Sequence, residues 1–400
     1  MGTDYMLKIL VKKTLYTMVC FLQWFCIPIQ HCLFRGFPVP RQIYIFRSGA
    51  MGDLLLLYDS ISYAQSRYSL PPITVVSKST SITRELISLY SSSRISLINY
   101  TQFLAAYFSN INSASILIDT EPYFPFGKII ALLSVYKNPQ VAMSVNSLLM
   151  NMAVLSSRHS YTFPYSNNSQ ESLLFLSLIL SSLEYFKVIT PSSLLLEAQS
   201  FTSHIQSPLF LNSSSAAIPV NLYQPLSTKS MGSIYLYYGC SKKARHRLPT
   251  YQFLLMFLRE LSTNYTVHLV GGPSELFLVN TEIQKYATTS LIDAFPLSVW
   301  SSFLSKLEYR LPFITFDGGF AHFMGLYTGN IFQIFCSSNP LKWKHKSTQS
   351  TFFFLDTPCS PCNKPYLLQV PNSCAFGNNA CSQISVDQLI SRIQDWMLRP

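Results

Sequence analysis

The sequence is poor in charge, and above all in negative charge. Only 12% of the 400 residues are charged, with 18 Asp and Glu against 29 Lys and Arg, a net charge of +11. A basic excess favours an anionic partner such as nucleic acid, anionic lipid or a phosphorylated substrate. The sequence lacks the basic and aromatic modules typical of nucleic-acid readers, so nucleic acid is not expected as a partner.

The chain also lacks a hydrophobic run long enough to predict a membrane span. Its N-terminal apolar stretch, Met18–Ile27, follows a group of lysines and is interrupted at Pro28. This run is too short for a confident span, and the small-residue cleavage site of a signal peptide is missing. A basic helix that contains Trp and Phe can lie among the headgroups of an anionic membrane. Residues 1–40 are interpreted as such a peripheral segment, with a helix packed on the first domain as an equal alternative and an uncleaved signal anchor as a third.

Cysteine usage argues against a secreted disulfide framework. The nine cysteines are an odd number, and five of them are scattered singly, which favours a reducing compartment. The others lie close together, at Cys359, Cys362, Cys374 and Cys381. A Cys-x2-Cys pair with two further cysteines nearby can close a tetrahedral thiolate site that suits zinc or iron. We predict a structural metal there, because four thiolates leave no open position for a substrate; reduced cysteines without a metal are the alternative.

What the chain has in quantity is apolar sequence, arranged as short runs that alternate with helix-length stretches. Hydrophobic residues make up 48% of the chain, enough for two buried cores. Strands are predicted at 43–46, 73–76, 95–98, 116–119, 234–238, 265–270, 313–316 and 331–336. Such alternation is typical of parallel, doubly wound α/β sheets. The stretch 205–232 is rich in Pro and Ser and lacks periodicity, which predicts a linker between an N-terminal domain at 41–215 and a C-terminal domain at 216–400.

One stretch combines a strand, a glycine turn and a helix start: Phe313-Ile-Thr-Phe-Asp317-Gly318-Gly319-Phe-Ala-His322. We expect Gly318 and Gly319 to allow backbone angles closed to other residues and to let a ligand approach the main chain. Free N–H groups and the positive dipole end of the next helix then favour a phosphate or diphosphate. The alternative for a lone Asp-Gly-Gly is a turn that binds nothing. His322, one turn into the helix, is a candidate donor-binding residue, with a structural histidine as the alternative.

A second glycine-bearing turn, Arg47-Ser-Gly-Ala-Met-Gly-Asp53, follows the first predicted strand. Ligands of open parallel sheets bind at the carboxyl ends of the strands, so two such turns that face each other define a cleft. Asp53 is then either an N-cap that binds first-turn N–H groups or a general base. Asp119 ends another predicted strand and is a second candidate base or an ordinary turn residue.

The loop after the strand at 234–238 concentrates positive charge. Its polar side chains are Ser241, Lys242, Lys243, Arg245, His246 and Arg247. Lys and Arg neutralise a departing diphosphate, although a solvated basic loop is the more common arrangement. Glu275 follows Gly271-Gly272-Pro273 and is either an acceptor for a ribose hydroxyl or a surface residue.

Taken together, these stretches resemble the ADP-heptose:lipopolysaccharide heptosyltransferases, glycosyltransferase family 9. The resemblance extends from about Gln42 to Arg399 and depends on the order and spacing of the motifs rather than on any one of them. The turn that ends at Asp53, the basic loop, Gly271-Gly272-x-x-Glu275, Asp317-Gly-Gly-x-x-His322 and the cysteine quartet all have counterparts in the family. It implies the GT-B fold, in which two Rossmann-like domains with parallel sheets face each other across a cleft.

The resemblance also implies a reaction. A heptose-like sugar would pass from an ADP-sugar to a lipopolysaccharide core acceptor, with inversion and without a catalytic metal. Asp53 would deprotonate the acceptor hydroxyl, Asp317 would place the sugar, and Glu275 would bind the ribose. The basic loop and the amides of Gly318 and Gly319 would stabilise the departing ADP. Such a protein would be cytoplasmic and bound peripherally to the inner face of the bacterial inner membrane.

Three positions depart from the family pattern and leave the donor open. Gly318 replaces a hydroxyl residue that helps to hold the diphosphate, His246 stands where lysine is usual, and Leu248 stands where tryptophan is usual before Pro249. A relative that transfers heptose to an autotransporter protein is one alternative. A non-catalytic binding protein that kept the fold is another, against which the retention of Asp53 and Asp317 argues.

Overall fold

Two sheets, each of six parallel strands, organise the protein. The computed structural model describes residues 41–47, 51–78, 85–86, 95–110, 115–120, 140–145, 160–164, 171–185, 188–189, 197, 199–201, 232–239, 248–292, 297–306, 312–345, 350–355, 357 and 383–398. The segment 1–40 and the predicted domain boundary between 215 and 216 lie outside these residues, so both stay predictions.

The first sheet is built from the N-terminal half of the chain. Its strands are β1 (Gln42–Phe46), β2 (Ile73–Val76), β3 (Ile95–Ile98), β4 (Ser115–Asp119), β5 (Gln140–Val145) and β6 (Ser160–Pro164). Helices in this half include α1 (Met51–Arg67), α2 (Tyr100–Asn110) and α3 (Glu171–Tyr185). All of β2 and β4 is buried, as expected for strands that helices cover on both faces of a parallel sheet.

The second sheet is built in the same way from the C-terminal half. Its strands are β7 (Ser233–Tyr237), β8 (Thr266–Gly271), β9 (Thr289–Ile292), β10 (Phe313–Phe316), β11 (Ile331–Phe335) and β12 (Thr351–Phe354). The helices are α4 (Tyr251–Asn264), α5 (Thr281–Gln284), α6 (Leu297–Lys306), α7 (Gly319–Met324), α8 (Pro340–Trp343) and α9 (Val386–Met397), with a 3-10 helix at Pro273–Leu278. Thr250 caps α4, because its hydroxyl accepts from the Phe253 N–H.

Both sheets have the same strand order. The first runs β3-β2-β1-β4-β5-β6 and the second, from its opposite edge, β9-β8-β7-β10-β11-β12. The direction of winding therefore reverses between β1 and β4 and again between β7 and β10. At such a switch point the chain leaves neighbouring strands in opposite directions and opens a crevice at their carboxyl ends. The predicted fold class, α/β with two doubly wound parallel sheets, is confirmed.

One apolar core is shared by the two halves. Buried side chains of α1 and α3, such as Leu57 and Phe175, belong to the same cluster as Trp300 of α6 and Phe320 and Phe323 of α7. A second cluster, under the other face of the second sheet, joins α4 to α9. The shared cluster means that α7 packs on α1, which brings the two switch points together.

A hydrogen bond also links the halves near this core. The Leu297 N–H, at the first turn of α6, donates to Glu85 Oε2 at 3.0 Å. A carboxylate of the first half therefore satisfies a free N–H group of a helix in the second half, next to the positive end of its dipole. Within the part of the chain described above, no helix is both long and apolar enough to cross a membrane.

Candidate active site

Arg47 fixes the carboxyl end of β1. Its Nη1 donates to the carbonyl oxygen of Thr120, just past β4, at 2.8 Å, and its Nη2 donates to Asp53 Oδ1 at 2.8 Å. The guanidinium thus bridges the first switch point and orients Asp53. Asp53 lies inside the first turn of α1, so the N-cap interpretation is wrong. Its side chain is 20% exposed, against 6% for Arg47, which makes Asp53 the accessible member of this ion pair.

Glu171 and Lys342 extend this ion pair across the two halves. Glu171, the first residue of α3, places Oε1 3.3 Å from Arg47 Nη2 and Oε2 3.2 Å from Lys342 Nζ. Lys342 belongs to α8 of the second half, and its side chain is 5% exposed, with Glu171 at 1%. The result is a chain of alternating charges, Asp53–Arg47–Glu171–Lys342, which we call the charge chain. Sequence reasoning did not identify Glu171 or Lys342.

Burial controls the charge of Lys342. Desolvation, and next the positive charge of Arg47, lower the pKa of Lys342 from 10.5 to about 7, while Asp53 acts in the opposite direction. The Glu171 carboxylate, 3.2 Å from Nζ, also favours the charged form. The ammonium lies 5.2 Å from the centre of the Trp343 ring, a cation–π contact. Lys342 therefore changes its charge near neutral pH, unlike an exposed lysine.

In the second half of the chain, the Glu275 side chain is held against the ends of β7 and β8. Its Oε2 accepts from the Gly272 N–H at 2.9 Å, and the side chain is buried. A Cβ on Gly239, which follows β7, would lie 2.6 Å from both Cγ and Oε1 of Glu275. Glycine at 239 is therefore needed so that the carboxylate can reach the second switch point. The alternative that Glu275 is a surface residue is wrong.

Asp317 follows β10 at the same switch point. Its Oδ2 accepts from the Ser338 hydroxyl, and its N–H donates to the Ile334 carbonyl oxygen at 3.1 Å. Gly318 caps α7 with φ −171° and ψ 166°, an extended conformation open to any residue. The prediction that Gly318 is needed for its backbone angles is therefore wrong.

Close approach explains the adjacent glycine. A Cβ on Gly319 would lie 2.8 Å from the Gly52 backbone nitrogen, and one on Gly52 would lie 2.8 Å from Cδ2 of His322. Two glycines, one from each half, thus let the starts of α1 and α7 touch. His322 is buried against this contact, with its ring centre 6.5 Å from that of Trp343. Asp53 consequently lies one residue from the point where the two halves meet.

The remaining candidates are placed less directly or lie outside the described residues. Asp119 ends β4 and is 2% exposed, so it offers an acceptor less access than Asp53 does. Outside the described residues lie Ser241, Lys242, Lys243, Arg245, His246 and Arg247, and also Cys359, Cys362, Cys374 and Cys381. Their predicted roles stay predictions. In the described ranges no group of three or more His, Cys, Asp or Glu side chains is arranged to hold a metal ion.

The described residues bring two sets of groups together. Asp53, oriented by Arg47, lies at the first switch point, while Glu275 and Asp317 lie at the second. An accessible carboxylate held by an arginine is suited to accept a proton from a hydroxyl. The buried Glu275 carboxylate after β8 and the partly buried Asp317 carboxylate after β10 are suited to accept hydrogen bonds from the hydroxyl groups of a ligand. The arrangement fits transfer between two substrates, one at each sheet.

The fold is similar to those of several glycosyltransferases of known structure, at low sequence identity. No protein-family model matches the chain. No curated protein matches its sequence. ADP-heptose LPS heptosyltransferase II from E. coli has a TM-score of 0.55 and 14% identity, and the match covers 89% of this chain and 98% of that one. The family 9 glycosyltransferase from Veillonella parvula has a TM-score of 0.55 and 14% identity, with 90% and 98% covered.

A third similar structure is that of TibC from enterotoxigenic E. coli. It is described as a dodecameric iron-containing heptosyltransferase in complex with ADP-D-beta-D-heptose. The TM-score is 0.50 at 11% identity, and the match covers 90% of this chain and 77% of that one. At such identities a structural likeness establishes the fold. The chain therefore has the two-domain α/β fold of the heptosyltransferases, as the sequence resemblance implied.

Proposed function

We propose that this protein is an inverting glycosyltransferase that moves a heptose-like sugar from an ADP-sugar to a lipopolysaccharide core acceptor. The observation that carries the proposal is the contact of the two switch points at Gly52 and Gly319. It puts an arginine-held carboxylate, Asp53, beside the Asp317 turn of the other sheet. The fold likeness to heptosyltransferases supports the class of reaction, and the ADP-heptose bound in TibC supports the class of donor.

In the proposed reaction Asp53 is the general base. The acceptor hydroxyl oxygen attacks the anomeric carbon of the donor, and the bond from that carbon to the phosphate oxygen breaks. Asp53 takes the hydroxyl proton, and ADP leaves with the bonding electron pair. Attack from the face opposite to the phosphate inverts the configuration. Arg47 keeps the Asp53 carboxylate in one orientation through the 2.8 Å hydrogen bond, so the base needs little reorganisation in the transition state.

The second half is proposed to bind the donor. Glu275 accepts from the ribose hydroxyls, and Asp317, whose Oδ2 accepts from Ser338, positions the sugar. The departing diphosphate needs positive charge, which Lys242, Lys243, Arg245 and Arg247 supply in the proposal, with no catalytic metal. His246 takes the place of the lysine usual in the family. Helix α7 has only 6 residues, so its dipole contributes less than a longer helix would.

Two further proposals concern parts of the chain outside the described residues. The cysteines at 359, 362, 374 and 381 are proposed to bind a structural zinc or iron, which elemental analysis of protein purified without chelator tests. The iron in TibC supports iron as one of the two choices. The basic segment 1–40 is proposed to bind the inner face of the bacterial inner membrane. Flotation of the full chain and of a chain that lacks 1–38 with anionic vesicles tests this role.

A donor panel tests the proposed function. Calorimetric titration with ADP-, UDP- and GDP-sugars is expected to show binding of ADP-sugars, and of ADP-heptose most tightly. Radiolabelled ADP-heptose is then incubated with a heptose-deficient lipopolysaccharide core or with an autotransporter protein. Label in the lipid acceptor supports the proposal, and label in the protein alone selects a protein heptosyltransferase instead. Failure to bind any nucleotide sugar would overturn the proposal in favour of a binding protein with another ligand.

A further inference from the structure

Glu171 and Lys342 are the members of the charge chain to which the proposed reaction gives no role. Lys342 comes from α8 in the second half, whereas its partner Glu171 opens α3 in the first half. Their 3.2 Å ion pair therefore joins the two halves directly beside the candidate base. Both side chains are almost fully buried, at 5% and 1% exposed. Solvent and salt, which weaken ion pairs on the surface, therefore weaken this ion pair much less.

The geometry shows how Lys342 can act on Asp53 through the partners that they share. Glu171 is shared by Lys342 and Arg47, and one nitrogen of Arg47, Nη2, is shared by Glu171 and Asp53. When Lys342 is charged, Glu171 has two cations and Arg47 is divided between two carboxylates. When Lys342 is neutral, Arg47 is the remaining cation of the chain, and Glu171 competes with Asp53 for it. The charge on Lys342 therefore affects where Arg47 holds the base.

The burial of Lys342 opposes its own positive charge. Desolvation is the largest cause of the lowered pKa of Lys342, which means that burial disfavours its charged form. Replacing both partners of a buried ion pair by apolar groups of similar volume is often neutral or stabilising, whereas removing one partner leaves a buried charge behind. Lys342 also lies against the Trp343 ring, where an unbranched apolar side chain would pack well. A buried charge retained against its own desolvation calls for a functional reason.

We propose that Lys342 is a positioning residue of the transfer reaction, which through Glu171 holds Arg47 and thereby Asp53 in the reactive orientation when the two halves are in contact. This role depends on the proposed function, because it needs Asp53 to act on an acceptor. Among the described residues, the charged or titratable groups near Lys342 include Glu171 on α3, Arg47 after β1, Asp53 on α1 and His322 on α7, whose ring centre lies 6.5 Å from that of Trp343. Lys342 itself carries the predicted pH response.

Three variants of α8 and its flank test the role. Lys342→Met removes the charge, Lys342→Arg keeps it, and Lys344→Met removes a neighbouring cation that stacks on Phe352. At pH 6.5, Lys342→Met is expected to lower kcat about 10- to 100-fold, the usual effect of losing a charged partner. Donor affinity measured by calorimetry is expected to stay close to that of the wild type. Lys342→Arg is expected to recover most of kcat, and Lys344→Met to leave kcat unchanged.

The pH profile separates positioning from a structural role. Wild-type kcat is expected to fall as the pH rises through about 7, because Lys342 then loses its proton. Lys342→Arg moves this descending limb to higher pH, since a guanidinium stays charged. Lys342→Met loses the limb altogether, because it has nothing to titrate. A loss of packing alone would lower stability and leave the limb where it is.

Unfolding experiments provide an independent check. Between about pH 7 and the ordinary lysine pKa of 10.5, the unfolded chain binds the Lys342 proton and the native chain does not. The free energy of unfolding of the wild type should therefore rise with pH across this window, more steeply than that of Lys342→Met. Lys342→Met also leaves the buried Glu171 with one cation fewer, so the slope with pH, and not the stability at one pH, reports the titration of Lys342. Equal slopes in the two proteins would mean that Lys342 does not titrate in this window and would overturn its pH-dependent positioning role.

These experiments distinguish failure of the positioning role of Lys342 from failure of the proposed sugar transfer. A wild type that transfers no sugar fails the proposed function, and the role of Lys342 falls with it. If the wild type is active, two results would overturn the positioning role alone. One is a Lys342→Met variant with the same kcat as the wild type, and the other is the same fall of kcat with rising pH in both proteins. The positioning role is supported if the wild type is active, if Lys342→Met has a lowered kcat that does not fall with rising pH, and if Lys342→Arg recovers most of kcat.

Discussion

Arg47 is the residue on which the geometry of the candidate site depends most. It serves acceptors from three separate segments: the Thr120 carbonyl, Asp53 and Glu171. A planar guanidinium offers several donors in a fixed arrangement, which lysine cannot do. The guanidinium group also lies over the Phe175 ring, with its Cζ 4.8 Å from the ring centroid. This contact covers one face of the guanidinium. Asp53 is thus positioned by a side chain that is itself held by acceptors from three segments and by one aromatic ring, as a catalytic group requires.

Loss of the carboxylate charge at Asp53 tests its role as the base. Asp53→Asn should bind the donor normally and lower turnover about 100-fold or more, because an amide cannot accept the acceptor proton. Asp59→Asn, on the same helix and away from the strand ends, is the matched control and should keep near-normal turnover. Steady-state kinetics and donor calorimetry on both variants make the comparison. Near-normal turnover of Asp53→Asn would instead direct attention to Asp119.

The two kinds of site residue differ in how well sequence predicts them. Asp53, Glu275 and Asp317 follow glycine-bearing turns after apolar runs, so local sequence gives their location. Glu171 and Lys342 were missed because their partners are distant in the chain: Arg47 and Glu171 are 124 residues apart. The available signal was weak but real. Glu171 is a lone carboxylate at the start of an apolar helix, and Lys342 lies between a proline and Trp343.

At the scale of elements, the strands that sequence predicts best are the inner ones. The predicted runs all correspond to strands of the structure, and they include both strands at each switch point. The missed strands are β5, β6, β9 and β12, of which β6, β9 and β12 lie at sheet edges. In the edge strand β9, Thr289-Ser290-Leu291-Ile292, two polar residues weaken the hydrophobic pattern from which a strand is predicted.

Two glycines at neighbouring strand ends form a matched pair around Glu275. A Cβ on Gly239 would lie 2.6 Å from the Glu275 carboxylate, while one on Gly272 would lie 3.7 Å away, in ordinary contact. Gly239→Ala should therefore displace the buried carboxylate and weaken ADP-sugar binding about 10-fold or more, the effect of one lost charged hydrogen bond. Gly272→Ala should bind almost as the wild type does. Calorimetry with ADP-heptose measures both.

The control for this pair is a phosphate-free sugar or free heptose, which should bind both variants equally weakly. If Gly239→Ala keeps wild-type affinity for ADP-heptose, then Glu275 does not contact the donor, and the proposed position of the ribose is wrong. If Gly272→Ala loses as much affinity for ADP-heptose as Gly239→Ala does, then the alanine at 272 disturbs the hydrogen bond from the Gly272 N–H to Glu275, although its Cβ would have room.

At the scale of the whole molecule, the two halves share a core although each has its own sheet. Phe323 of α7 is fully buried in the cluster that also contains Leu57 and Phe175 of the first half. An interface that is large and apolar limits independent motion of domains. Sequence predicted two doubly wound domains, but it did not predict this sharing. A hydrophobic pattern predicts which residues are buried, but it does not predict which other residues pack against them.

The shared core predicts that the two halves unfold together. Calorimetry should show a single transition with equal calorimetric and van't Hoff enthalpies, because exposing the cluster destabilises both sheets at once. Phe323→Ala in the shared cluster and Phe257→Ala in the second cluster are matched, since both rings are fully buried. Each should lower the free energy of unfolding by about 3–5 kcal/mol, the usual cost of removing a buried phenylalanine ring.

Hydrogen exchange then separates the two variants. Phe323→Ala should lower amide protection in α1 and α3 as well as in α6, since its ring packs in the cluster that those helices share. Phe257→Ala should act first on α4 and α9, which the second cluster joins. Two resolved transitions in the wild type, or full protection of α1 in Phe323→Ala, would mean that the halves are independent. In that case the contact between Gly52 and Gly319 would open and close freely, and Lys342 could not hold the base in place between catalytic events.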